Sequence, residues 1–488
     1  MTKEQFIELA KRGNLIPVYR EMVADLETPV SAFIKLDTGS HTFLLESAEG
    51  VERFGRYSFV GSDPHIIFSQ RGRRVTVSAG GVAREFDTDQ DPLVELKKLM
   101  DKYQAVAVPD LPLFSGGAVG WLSYEAIRYF EPTVPRAAND DLQLPDAYFI
   151  VSDTLLIFDH LTRRLRIVAN AHVTGSPAAA YDAAVQKIAA IENKLRGPIS
   201  HPLLEARGDL PTPPSAPNMT KDEYLRMTAR MQEHIGAGDI FQVVPSQRFA
   251  VPFNRDAIEL YRALRYINPS PYMFCLKLGG VALVGSSPET HVRCVDGKIE
   301  MHPIAGTRPR QATAAADAAM ARELLADPKE RAEHLMLVDL ARNDVGRVCR
   351  YNSVQVTDFM TIEKYSHVMH IVSHVVGQLN DGYSSYDVLR ATFPAGTVSG
   401  SPKIRAMQII AAGEPTCRGT YSGAVGYFGF SGNLDSCILI RTVLLKNGTA
   451  YIQAGGGLVA DSTPLGEYNE SASKAQAAMK ALALAETL

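Results

Sequence analysis

The sequence predicts an α+β fold built on large, mostly antiparallel β-sheets, and three observations carry that prediction. Short apolar or alternating runs recur along all 488 residues, among them Ser58–Gly61, Val75–Val77, Ala147–Ser152, Thr154–Phe158 and Val281–Gly285. Several adjoin loops of hairpin length, such as Lys446-Asn447-Gly448 between Cys437–Leu445 and Thr449–Gln453. Helical segments are interspersed among them without the regular strand–helix alternation of a parallel sheet.

Composition bounds the rest. Hydrophobic residues make up 46% of the chain and charged residues 21%, so it can bury an ordinary core and is not disordered. Lys+Arg number 50 against Asp+Glu 54, a net charge of -4, which excludes a dedicated nucleic-acid binder. No run approaches a membrane span and the N-terminus has no apolar core of signal-peptide length, so a cytoplasmic protein without membrane contact is expected. The five cysteines (Cys275, Cys294, Cys349, Cys417, Cys437) form no CxxC pair and fit buried, reduced thiols.

In chain order, residues 1–210 read as short strands closed by an alanine-rich helix from about Ala178 to Leu195. Pro211-Thr-Pro-Pro-Ser-Ala-Pro217 cannot continue regular structure and marks the best linker, ahead of a second unit at 218–488. Early strands can still pair with late ones across it. Thr220-Lys-Asp-Glu223 is a capping box that opens a helix ending at Gly236 or Gly238. A strand Ile240–Val244 follows, and further strands are expected at Ser422–Phe430 and, uninterrupted, at Cys437–Leu445.

Six segments could carry chemistry. In Asp327-Pro-Lys-Glu-Arg-Ala-Glu-His334, Asp327 caps a helix, Glu330 closes the box, and Glu330, Glu333 and His334 share a stripe of a helix apolar nearly all round. Glu330 and Glu333 either cap and pair with arginine, or contribute to a cation site. Glu467, Glu470, Ser471 and Lys474 share another helical face, read either as an exposed Glu–Lys ladder or as a second acid pair. Two such ExxE pairs could converge on one Mg²⁺, which needs few carboxylates and keeps positions for a substrate oxygen. Ala454-Gly-Gly-Gly457 is either a plain turn or an anion-binding set of backbone N–H groups. His302–Arg310 gathers cations around a Gly-Thr turn, and Phe393–Lys403 is a long small-residue loop. His367, His370 and His374 lie among apolar residues, where core packing is the commoner role.

Taken together, these segments resemble the chorismate-utilising enzymes, and within them the large subunits (component I) of anthranilate synthase. The motifs run in family order: Pro303–Arg308, Asp339–Arg347, Val368-Met-His370, Pro394–Lys403, Gly423–Phe428 and Gly455 through Asn469-Glu470, covering 218–488 densely. Leu44–Ser47 and Gly116–Tyr124 extend the match more sparsely into the N-terminal half.

The resemblance implies sheets packed as a sandwich and flanked by helices. It implies Mg²⁺ on Glu333 and Glu470, with Glu330 and Glu467 completing the shell. Gly306, Thr307, Tyr421, Arg441 and the N–H groups of Gly455, Gly456 and Gly457 would clamp the dicarboxylate chorismate, with Thr307 and His370 at the reacting groups and His370 moving a proton. Ammonia would displace the 4-hydroxyl, and loss of pyruvate would give anthranilate. L-tryptophan would inhibit from a pocket formed by Ser47, Pro271, Tyr272 and Met273. No segment resembles a glutamine amidotransferase, so ammonia is expected from a separate component II subunit, in a heterotetramer of two large and two small chains. Water-using relatives carry a lysine where this chain has Gln242, and aminodeoxychorismate synthases read Pro-Ile-Lys-Gly-Thr where this chain has Ala305; both departures favour the anthranilate branch. The alternatives are an aminodeoxychorismate synthase large subunit or a non-catalytic regulator that binds tryptophan or chorismate.

Overall fold

The computed structural model describes residues 1–47, 55–137, 139–207, 210–365 and 368–488; His367 lies outside them. Two antiparallel sheets of eleven and twelve strands dominate it. Strand alternation explains how they pack, because successive side chains point to opposite faces. Phe43, Phe274, Trp121, Ile150 and Val425 meet in the core between the sheets. Their sequence neighbours Leu44 and Cys275 face outward from the first sheet onto helices Pro29–Leu36, Ala257–Ile267 and Pro464–Ala485. Leu122, Phe149 and Ala424 face outward from the second onto helices Pro92–Met100, Pro328–Gly346 and Ser385–Thr392. The layers therefore run helix, sheet, sheet, helix.

Both sheets mix early and late strands. His41–Glu46 pairs with Tyr272–Leu278 in the first sheet, and Gly117–Leu122 pairs with Ala424–Gly429 in the second. The proline-rich stretch does hold regular structure at its end: Ala216–Pro217 pairs with Phe249 and Ala250 at a sheet edge, where a missing N–H costs no ladder bond. The capping box Thr220–Glu223 and the left-handed Gly238 (φ 80) beyond helix Lys221–Gly236 are as the sequence predicts. So is the Asn447-Gly448 turn, with φ 50 and 71.

Four expectations change. The run 437–445 is not one strand: Leu434–Ile438 belongs to the second sheet and Thr442–Lys446 to the first. Helix Pro328–Gly346 is not buried all round, since Leu335 is 52% exposed on its outer side. Its Asp327 cap accepts from the Lys329 and Glu330 N–H groups, but the Glu330 carboxylate does not close a box and turns to Arg308 instead. Across the expected strand Ile240–Val244, only Gln242–Val243 pairs, against Gly400–Ser401.

Beneath the region where the sheets and the Gln242 segment meet, Arg418 and Glu414 form an ion pair at 2.6 Å with side chains 1% and 3% exposed. The guanidinium also donates to the Val244 and Val398 carbonyls and to Ser422 Oγ, while Glu414 accepts from the Ser246 N–H and hydroxyl. Removing one partner strands the other charge in the interior, which costs about 3–5 kcal/mol. Glu414→Ala should lower the unfolding free energy by about that amount in denaturant titrations. Asp381→Ala, which breaks an exposed pair with Arg350, should barely move it.

Candidate active site

A cavity of about 610 Å³ opens where the chain passes from one sheet to the other. Two such passages supply its wall. Val281–Ser287 of the first sheet runs through Pro288 and Glu289 into Thr290–Val295 of the second. Leu434–Ile438 of the second returns through Ile440 and Arg441 to Thr442–Lys446 of the first, with Arg441 held at φ 52. A non-glycine residue in that region is held there by its surroundings. Arg441 donates to the Lys474 carbonyl at 2.9 Å, and no carboxylate of the described residues pairs with its guanidinium. Burial lowers its pKa against the opposing pull of Tyr421 and Glu470.

The strand Ile304–Pro309 bulges between Ala305 and Thr307, with Gly306 at φ 65 as the extra residue. The bulge turns the Gly306 carbonyl toward His370 Nδ1 at 3.0 Å, with Thr307 Oγ1 at 3.1 Å from the same nitrogen. A carbonyl only accepts, so Nδ1 carries the proton and Nε2 is left as the base. Burial lowers the His370 pKa, so the ring is neutral at pH 7. Gly306, Thr307 and Ala305 line the cavity, and His370 stands behind them rather than on the wall.

Glu330, Glu333, Glu467 and Glu470 all face this cavity, as do Tyr421 and Gly455–Gly457. Glu330 pairs with Arg308 at 3.1 Å and Glu470 with Lys474 at 2.6 Å, so the Glu–Lys ladder and the second acid pair coexist. Glu333 accepts from Gln242 Nε2 at 3.2 Å, and Glu467 Oε2 is buried with no hydrogen-bond partner among the described residues. Burial, reinforced by the charges of Glu330 and Glu470, raises Glu333; burial likewise raises Glu467. Among the described residues no three carboxylate, imidazole or thiolate groups enclose a metal ion by themselves. Hard oxygen donors, a deficit of positive charge and one orphaned carboxylate oxygen nonetheless fit Mg²⁺, which takes one or two protein carboxylates and fills the rest of its shell from water and substrate. A Cβ at Gly456 would fall 2.4 Å from Glu467 Oε2 and 3.2 Å from Glu470 Oε1, so a side chain there would push both carboxylates out of their positions. The Gly456 and Gly457 N–H groups have no acceptor among the described residues and are open to an anion.

Sequence reasoning missed Glu289. Burial pushes its carboxyl up to about 8, with Thr397 and Lys474 opposing the shift, so it is protonated at neutral pH. A glutamate just beyond a strand end reads as a solvated loop residue, and nothing in its neighbours marks it. The histidines differ in place: the His374 ring lies tilted against that of His302 with centroids 4.2 Å apart, and neither lines the cavity.

A second cavity of about 300 Å³ lies between the sheets. Ser47, Pro271, Tyr272 and Met273 line it together with Phe59, Phe114 and Tyr427. Arg56 pairs with Asp159 and Arg293 with Asp435, while Glu46 is held by Arg265 and keeps Oε2 buried without a partner among the described residues. The Tyr272 hydroxyl donates to Asp435 at 2.9 Å and lies 3.1 Å from Thr290 Oγ1. Aromatic walls with both signs of charge suit a zwitterionic aromatic ligand.

Residues 40–480 match the family described as chorismate binding enzyme. The chain is 45% identical to anthranilate synthase component 1 of Pseudomonas aeruginosa over 100% of its own length and 99% of that protein. It is 44% identical to the protein of that name from Acetivibrio thermocellus, over 97% of this chain and 96% of the relative. The crystal structure of anthranilate synthase component I from Streptococcus pneumoniae superimposes with a TM-score of 0.77 at 33% identity, covering 94% of this chain and 99% of that one. The menaquinone-specific isochorismate synthase of Escherichia coli shares the fold at a TM-score of 0.71 and 18% identity. With a site built of these residues and relatives matched end to end, the chain belongs to the chorismate-binding enzymes, in the anthranilate synthase component 1 family.

Proposed function

We propose that this chain is the large subunit of an anthranilate synthase, a lyase that converts chorismate and ammonia to anthranilate and pyruvate in tryptophan biosynthesis. The observation that carries the reading is a single cavity holding an unpaired guanidinium, open glycine N–H groups, an acid cluster short of positive charge and a neutral carboxyl. Chorismate bears two carboxylates and a leaving hydroxyl, and each feature answers one of them. Arg441 takes one carboxylate as a charge-assisted pair, with Tyr421 and the Gly455–Gly457 backbone beside it. Glu333 and Glu470, with Glu467 and Glu330 beside them, would hold Mg²⁺, which supplies charge neutralisation for the other carboxylate.

Ammonia forms the new C–N bond as the ring double bond shifts and the C–O bond to the 4-hydroxyl breaks. Glu289 gives its proton to the departing oxygen, which leaves as water, and the new ammonium group returns one proton to the site. His370, neutral with its Nδ1–H fixed on Gly306, takes the ring proton as the ring C–O bond to the enolpyruvyl group breaks, and the released enolate takes up a proton at its methylene carbon to become pyruvate. All five thiols are buried and burial raises those of Cys275, Cys294 and Cys437, so none suits glutamine hydrolysis. A separate glutaminase subunit delivers the ammonia, in a cytoplasmic heterotetramer of two large and two small chains. L-tryptophan occupies the second cavity as inhibitor.

The test is turnover by the purified chain with chorismate, Mg²⁺ and ammonium, followed by anthranilate fluorescence and product mass. EDTA should abolish it, and 4-amino-4-deoxychorismate as product would sink the reading. Glu289→Gln should lower kcat by about 10²-fold or more. At constant free ammonia, wild-type kcat should hold below pH 8 and fall as pH rises through the Glu289 pKa of about 8, a limb absent from the variant. Gly456→Ala should remove detectable turnover, with the circular-dichroism spectrum unchanged. Ser47→Phe should raise the tryptophan concentration for half-inhibition about 10-fold or more, equivalent to one lost contact of ordinary strength, with kcat within about 2-fold. Equal losses in inhibition and catalysis would make Ser47 structural.

A further inference from the structure

One cation of the larger cavity answers to no other residue of the protein. Lys329 stands on the cavity wall at the second position of helix Pro328–Gly346, and it is exposed. Thr307, Glu470 and Ser473 are the other exposed residues of that wall, so these side chains mark the mouth. The remaining cations of the wall, Arg441 and Lys474, are half-buried and engaged. Arg441 donates to the Lys474 carbonyl, and Lys474 donates to the Gly455 carbonyl and pairs with Glu470. The Lys329 ammonium makes no hydrogen bond or ion pair with any described residue.

Stability does not account for this lysine. A positive charge in the first turn of a helix opposes the macrodipole. Glu333 lies one turn on, but lysine ahead of glutamate is the weaker order, and the two form no ion pair. Its charge is nonetheless felt inside the cavity, where it opposes the burial that raises Glu333 and Glu467. Chorismate carries two negative charges and must pass this mouth, with Glu470 upon it and Glu330, Glu333 and Glu467 beyond. An entrance lined by acids repels a dianion and attracts a divalent cation. An ammonium on a flexible four-carbon stem at that entrance does the reverse. We infer that Lys329 is the substrate-admitting cation of the mouth, drawing a carboxylate of chorismate past the acids while opposing the metal they would hold. The inference rests on the functional reading above.

The test measures two affinities separately, on the whole chain without ammonium. Mn²⁺ is titrated alone and followed by the paramagnetic resonance of the free ion, and chorismate is titrated by calorimetry at saturating Mg²⁺. Lys329→Met keeps an unbranched stem and removes the charge. It should weaken chorismate about 5-fold at low salt, the effect of one unit charge at contact distance in water, and tighten Mn²⁺ about 3-fold. Both gaps should close as salt rises from about 0.01 M to about 1 M, which shortens the screening length from roughly 30 Å to roughly 3 Å. Lys329→Arg keeps the charge and should hold both affinities within about 2-fold of wild type. A lysine that merely supports its helix would shift both affinities the same way or not at all, and either result would overturn the inference. If wild type binds no chorismate, the functional reading falls and this inference with it. If wild type binds chorismate and Lys329→Met binds it as tightly, only the inference falls.

Discussion

The buried pair of Arg418 and Glu414 is the constraint on which the site depends. Two charges removed from water are stable only when every remaining donor and acceptor is answered. Here the answers come from far apart in the chain: the Val244 carbonyl and Ser246 on one side, Val398 and Ser422 on the other. Glu125, from the N-terminal half, accepts the Arg418 and Gly419 N–H groups at 2.8 and 3.0 Å. Burial pushes the Glu125 carboxyl up to about 7. The network thus fixes Gln242's strand, the loop before helix Lys403–Gly413 and the approach to Tyr421 relative to one another.

Above that foundation, the cavity is arranged by charge. Its acids outnumber the cations that face them, and burial, reinforced by neighbouring carboxylates, raises Glu333 and Glu467. Arg441 and the glycine N–H groups form the opposite pole. Glu289 is kept protonated by burial, and behind the Gly306–Thr307 wall burial keeps His370 neutral, so an acid form and a base form coexist at the same pH.

The two cavities are built from the same lengths of chain. Glu289 and Arg293, Tyr421 and Tyr427, and Arg441 and Asp435 are pairs in which the first residue lines the larger cavity and the second the smaller. The Tyr272 hydroxyl, in the smaller cavity, bridges Asp435 and Thr290, the residue next to Glu289. The walls of the two cavities are therefore joined by short continuous stretches of chain.

By itself the sequence determined the local elements and much of the site: the capping box at Thr220, the Asn447-Gly448 turn, the acid pairs at helical spacing and the glycines beside them. These are set by neighbours three or four residues away, which a linear pattern records. Tertiary structure alone decided where the chain changes sheets. The run 437–445 is apolar and β-branched enough for one strand, yet it breaks at Leu439–Arg441 because its two ends pair with partners in different sheets. That break aims Arg441 into the cavity, and the matching one aims Glu289. The orientation of Gln453 was equally invisible, since it follows from a hydrogen-bond chain through Ser246 and Glu414, residues 207 and 39 positions away, and not from anything adjacent. Periodicity encodes which face a residue takes within an element, whereas passage between sheets and the direction of a buried amide are set by partners distant in sequence.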